Sequence, residues 1–122
     1  AIRFIRGAFI AADRYEEALA VHNRLAKEKY VDPDYIDGAV AMAMLDRGDE
    51  ASALVAEGVK NYPDLTIESW TGTSDWGEAD RAKAVAQMRK AGFPACSSPV
   101  VIAEGQIVFR LPECVQAKAV AP

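Results

Sequence analysis

Residues 12–25 read ADRYEEALAVHNRL, and residues 46–60 read DRGDEASALVAEGVK, a looser copy of the same order. A shift of 35 sets Ala18 on Ala53 and Leu19 on Leu54. In each copy acids come first, where a helix N-terminus favours negative charge. A small residue then allows close helix approach, and the leucine after it fills the groove alongside. A spacing near about 34 residues is the period of helix-turn-helix arrays, whose single hairpins cannot bury their apolar faces alone. Two hairpins, and therefore four helices, are expected. The chain reads as a mainly α solenoid of two degenerate repeats, with a four-helix bundle of accidental similarity as the alternative.

Working outward, Ile2, Ile5, Phe9 and Ala12 form a stripe at helical spacing that predicts a first helix. Asp13 is placed to cap the second helix, with Glu16 three residues on as in a capping box. That helix is expected to turn Ala18, Leu19, Val21, Leu25 and Ala26 inward and to stop before Pro33. Pro33 opens the third helix, whose apolar face is Ile36, Ala39, Val40, Ala43 and Met44. Gly48 ends it. Asp49 caps a fourth helix running through Leu54, Val55 and Val59 to Tyr62. Gly58 inside that helix costs roughly 1 kcal/mol relative to Ala. Either a close helix crossing or an unoptimised surface position accounts for it.

The repeat ends at Pro63. A short apolar stretch and a Gly/Ser/Thr turn lead to an amphipathic helix that starts at Asp75 or Glu78 and ends at Gly92. Ala79, Ala82, Val85, Ala86 and Met88 are expected to face the core, making this a capping helix for the solenoid. Residues 1–96 are thus read as a helical-repeat domain. Residues 97–122 differ. Val100–Ile102 and Ile107–Phe109 are apolar and β-branched around a turn-capable stretch, predicting a C-terminal β-hairpin or an extended tail. A lone hairpin is marginal, so it must dock on the helices or pair with a second chain. A structural homodimerisation domain using that arm is the alternative function.

Composition narrows the classes. With 51% apolar and 26% charged residues the chain is a globular domain. No apolar run approaches the roughly 20 residues of a membrane span. The opening AIRFIRGAFI is too short and too interrupted by Arg3 and Arg6 for a signal peptide, and without an initiator Met it reads as a proteolytic or expression boundary. The net charge of −4 lies in the first 96 residues, since Arg110 and Lys118 balance Glu104 and Glu113. That balance excludes a phosphate-neutralising surface, so no nucleic-acid partner is expected. The chain looks cytoplasmic, where Cys96 and Cys114 are expected to stay reduced.

Chemistry-bearing motifs are sparse. The single histidine, His22, is read as a helix-packing or surface residue, because zinc sites need several ligands. No phosphate-binding glycine loop occurs, and Ser97 and Ser98 have no second histidine to activate them. Asp32/Asp34 and Asp46/Asp49 lack calcium-loop spacing and are read as caps and turn residues. Trp70 and Trp76 are read as core anchors rather than partner anchors. No catalytic, metal or cofactor residue is expected.

YEEALAVHNRL, AMLDRGDEASALVAEGVKNYPDLTIESW and ADRAKAVAQMRKAGFP together carry a family resemblance. They are similar to the C-terminal tetratricopeptide-like repeat region of bacterial class III adenylate/guanylate cyclase proteins. The matching places are Pro63, Leu65-Thr66-Ile67, Trp70 and Met88 to Pro94, over roughly residues 1–96. His22 and Glu57 stand where the repeats usually carry a large aromatic, and nothing matches the cyclase's metal-binding aspartates. The resemblance implies a non-catalytic protein–protein interaction or regulatory module in cAMP signalling. Its partner would be a protein or a neighbouring catalytic domain, with a homodimer through residues 97–122 as the other option. Tyr35, Met42 and Asp46, with Arg3 and Arg6 of the first helix, would line the partner-binding concave face.

Overall fold

The protein is described by a computed structural model covering the backbone of residues 1–120 and the side chains of residues 1–116. Among the described residues there are eight α-helices and no strand. They are α1 (Ile2–Ala11), α2 (Tyr15–His22), α3 (Asp32–Met44), α4 (Gly48–Asn61), α5 (Ile67–Thr71), α6 (Glu78–Ala91), α7 (Pro99–Glu104) and α8 (Pro112–Val120). A 3-10 turn, Lys27–Lys29, lies between α2 and α3. The mainly α expectation holds. None of the described helices is long and apolar enough to cross a membrane.

The α1–α2 and α3–α4 turns are built alike, but 33 positions apart rather than 35. Asp13 and Asp46 both sit in the left-handed region, at φ 60° and 59°. In each turn the following arginine N–H, of Arg14 or Arg47, bonds back to the carbonyl of Phe9 or Met42. Aspartate tolerates this conformation better than most residues. Neither Asp13 nor Asp49 caps its helix; Arg14 and Arg47 hold the N-cap positions. Asp13 instead accepts hydrogen bonds from Tyr15 and Lys83. In this register the counterpart of Ala18 is Ala51. Both are buried to 1% exposure or less, whereas Ala53 is exposed.

Helix α3 is the centre of the molecule. It packs on α1, α2, α4 and α6, and the buried faces are Ile36, Ala39, Val40 and Ala43 on α3 with Leu54 and Val55 on α4. The open question of Gly58 is settled by a close crossing: a Cβ there would lie 2.8 Å from Tyr35 Cβ. In a solenoid each unit touches only its neighbours. Here α6 packs along α3 while Lys83 and Gln87 bond Ala11 and Tyr15, 72 positions away. The helices therefore wrap around α3 instead of stacking in a row. Helix α6 follows the expected bounds and ends on left-handed Gly92, but its buried residues are Met88 and Ala91, while Ala79, Ala82 and Ala86 are exposed.

The β-hairpin at residues 100–109 does not form. Ser98 caps α7 by accepting the Val101 N–H, and Pro99 sits in its first turn. The local proline and cap thus favour helix over the β-branched preference of the sequence. Residues 107–111 have no regular secondary structure and are docked on the helices: Val108 and Phe109 N–H both bond Gly72 O. Arg89 pairs with Glu113 at 2.6 Å. Pairing of two chains through a hairpin edge therefore has no strand to use among the described residues. Cys96 and Cys114 form a disulfide with Cα atoms 5.3 Å apart, contrary to the expectation of reduced thiols. Their chain segments are brought together by Glu68, whose buried carboxylate accepts from Ser97 N–H, Arg110 and Leu111 N–H.

Candidate functional site

The interior of the first three helices carries an unusual amount of charge. Arg6 of α1 is 1% exposed and Asp34 of α3 is fully buried. Burying such groups is costly unless they are paired and hydrogen-bonded. Arg6 Nη1 donates to Asp34 Oδ1 at 2.8 Å, and Arg6 Nε to Asp37 Oδ2 at 3.0 Å. Arg3 donates to Asp34 through Nε and Nη2, both at 2.9 Å at closest, and the Val31 N–H donates to it as well. Burial opposes ionisation of Asp34, but the hydrogen bonds from Arg3, Val31 and Arg6 outweigh it and hold its carboxyl below the ordinary range. For Asp37 burial wins over the pull of Arg6, and its carboxyl is pushed up.

His22 completes this network. Arginine can only donate, so Nδ1 of His22 accepts from Arg6 Nη1 at 3.1 Å. The proton then sits on Nε2, which donates to the Tyr30 hydroxyl at 2.8 Å. Burial, with the neighbouring Arg6 charge, lowers the His22 pKa to about 4. The ring is therefore neutral at pH 7. Gly38 makes its place: a Cβ there would lie 2.5 Å from His22 Nε2. His22 is a packing residue, as its isolation in the sequence suggested, and it is a buried one.

Beside the network lies a cleft of about 340 Å³ between α1, α3 and α6. Ile10 of α1, Ile36 and Val40 of α3 and Met88 of α6 give it apolar walls, and Trp70 and Trp76 also line it. Trp76 Nε1 donates to the backbone carbonyl of Trp70 at 3.0 Å, which anchors the Trp76 indole on the end of α5. Both are half-buried; Trp70 packs against the core, as expected of an anchor, whereas Trp76 is not among the residues packed on it. Asp37 opens into this space. One of its oxygens is held by Arg6, and the other has no hydrogen-bond partner among the described residues. Lys83 and Gln87 line the cleft while tying α6 to the α1–α2 turn.

The five residues expected on a concave face are not gathered in one place. Arg3 and Arg6 converge on Asp34. Tyr35 is buried on the side facing α4, where Asn61 donates to its hydroxyl and Gly58 lies against its ring. Met42 is half-buried near the end of α3, and Asp46 is exposed in the turn beyond it. The residues that do line the cleft, Asp37 and the two tryptophans among them, were not singled out for binding by the sequence reading. One signal was available: Arg3/Arg6 and Asp34/Asp37 carry opposite charges at matched i,i+3 spacing on two neighbouring helices.

A second cluster, Glu68 with Cys96 and Cys114, has its potential ligand atoms within 4.8 Å of one another. The sulfurs are bonded to each other, and the carboxylate is occupied by Arg110 and two backbone N–H groups. It acts as a clasp for the C-terminal segment. Comparison with family models, with curated proteins and with solved structures returns no match.

Proposed function

We propose that the chain is a non-catalytic helical interaction module that regulates or assembles a class III adenylate/guanylate cyclase. The observation that carries the docking part is the outer face of α1. Phe4 is 84% exposed and Ile5 43% exposed on a helix whose other side is pinned to α3 by Arg3 and Arg6. An apolar face held rigidly in one orientation is what an array of helices presents to a neighbour. Its counterpart is a protein partner or the catalytic domain of the cyclase. The cyclase assignment rests on the sequence resemblance over residues 1–96, and two helix pairs with matching turns at Asp13 and Asp46 suit a repeat origin. A bacterial cytoplasm is the setting this implies, where the thiol pool would open the Cys96–Cys114 bond.

The test is binding of this chain to the separately produced catalytic domain, by calorimetry. Phe4→Asp should weaken binding at least about tenfold, a loss of about 1.4 kcal/mol, without lowering the melting temperature, because Phe4 buries almost nothing in the fold. Unchanged affinity in Phe4→Asp and Ile5→Asp would remove α1 as the docking face.

A further inference from the structure

We propose that the cleft between α1, α3 and α6 is a binding site for a small organic ammonium ion with an apolar body. The inference is separate from the α1 docking face and does not need a cyclase partner. At about 340 Å³ the cleft falls at the lower end of small-ligand sites. Its walls are aliphatic and indole, with few polar groups, and those groups are mostly acids or already committed. Lys83, the cation on the lining, pairs with Asp13 at 2.9 Å and donates to Ala11 O. Gln87 donates to Tyr15. Asp37 keeps one carboxylate oxygen free inside the cleft. Asp80 at the rim makes no ion pair among the described residues.

The charge left for a ligand is therefore negative and lies beside two tryptophans, the side chains best suited to a cation. Burial disfavours the Asp37 carboxylate, so a cation in the cleft would relieve a group that Arg6 alone leaves under-compensated. Gly7 supplies part of the room. A Cβ at Gly7 would meet no atom within 4 Å, so the helix tolerates a side chain there while the cleft would be filled by one.

Both tryptophans of the chain, Trp70 and Trp76, line this cleft, so intrinsic fluorescence responds to it, and loss of the response in Gly7→Leu ties the signal to this cleft rather than to the surfaces near Pro63 and Phe109 that Trp70 and Trp76 also border. The full chain is titrated with phenethylammonium and, separately, with its neutral isostere 2-phenylethanol, exciting the indoles. The proposal predicts saturable binding of the ammonium ion, with Kd on the order of 1 mM, and at least about tenfold weaker binding of the alcohol. Asp37→Asn should bring the ammonium affinity down to that of the alcohol. Gly7→Leu should abolish both responses with an unchanged circular dichroism spectrum. Equal affinity for the two probes, no saturation below about 20 mM, or ammonium binding that survives Asp37→Asn would overturn it. Because Asp37→Asn also loosens Arg6, its melting curve is recorded. If that variant is unfolded, Gly7→Leu decides between a response that disappears and one that persists.

Discussion

Arg6 is the residue around which the interior charge is organised. It touches Asp34 and Asp37 of α3 and His22 of α2 at once, so its contacts tie α1 to both helices. Removing one charge from such a set leaves the others buried and unpaired. Asp34→Asn should therefore destabilise the fold by about 3–5 kcal/mol in urea unfolding, and a loss under about 1 kcal/mol would mean the network is dispensable. His22 gives the set a pH dependence. Its pKa falls from 6.5 to about 4 on folding, so the unfolded chain binds more protons between those values. Stability is then fully present above pH 6.5 and falls as the pH drops toward 4, by roughly 3 kcal/mol. Asp37, whose carboxyl is raised, works in the opposite sense near its own titration. Comparing urea midpoints of the native chain and His22→Gln across this window isolates the histidine, because the slope should flatten in the variant. Little of this was legible beforehand. An arginine within an apolar stripe reads as solvent-facing by hydropathy, and only partners placed 28 and 31 positions away make its burial tolerable.

Helices, by contrast, were largely legible, and their faces less so. Pro33, Pro63 and Gly92 punctuate the chain where the structure begins or ends elements, because proline and left-handed glycine act through local backbone geometry. The α6 face was misread because alanine fits either side of a helix, and the packing that selects Met88 and Ala91 is tertiary. The crossing of α3 and α4 at Gly58 makes a sharp case. Alanine would gain about 1 kcal/mol of helix propensity, but its Cβ would press 2.8 Å from Tyr35 Cβ, next to the backbone, where little can yield. Gly58→Ala should therefore be destabilising by about 1–3 kcal/mol, read from thermal melts. A more stable Gly58→Ala would show that the helices do not cross this closely. The apparent C-terminal hairpin failed for a related reason: β-branched composition was outweighed by the Ser98-Pro99 start of α7 and by docking of residues 107–111 on Gly72.

At the scale of the whole molecule, the C-terminal segment is a strap laid over α5 and α6 by the Cys96–Cys114 bond, by Glu68 and by Arg89–Glu113. Closing a loop of 18 positions contributes about 3 kcal/mol. Reduction should lower the melting temperature by several degrees and act first on the strap over α5 and α6, since α1–α4 pack mainly on one another and on α6. Alkylation after denaturation, counted by mass, tells whether the bond exists in protein from its own cell. As proposed above, the chain regulates or assembles a cyclase. The measurement to make first is cyclic nucleotide formation from ATP and GTP by a class III cyclase catalytic domain of the same cell, with this chain added and without it. Adding the chain should change the rate or the assembly state of the catalytic domain. Identical rate and assembly state with and without the chain would remove the cyclase as its partner.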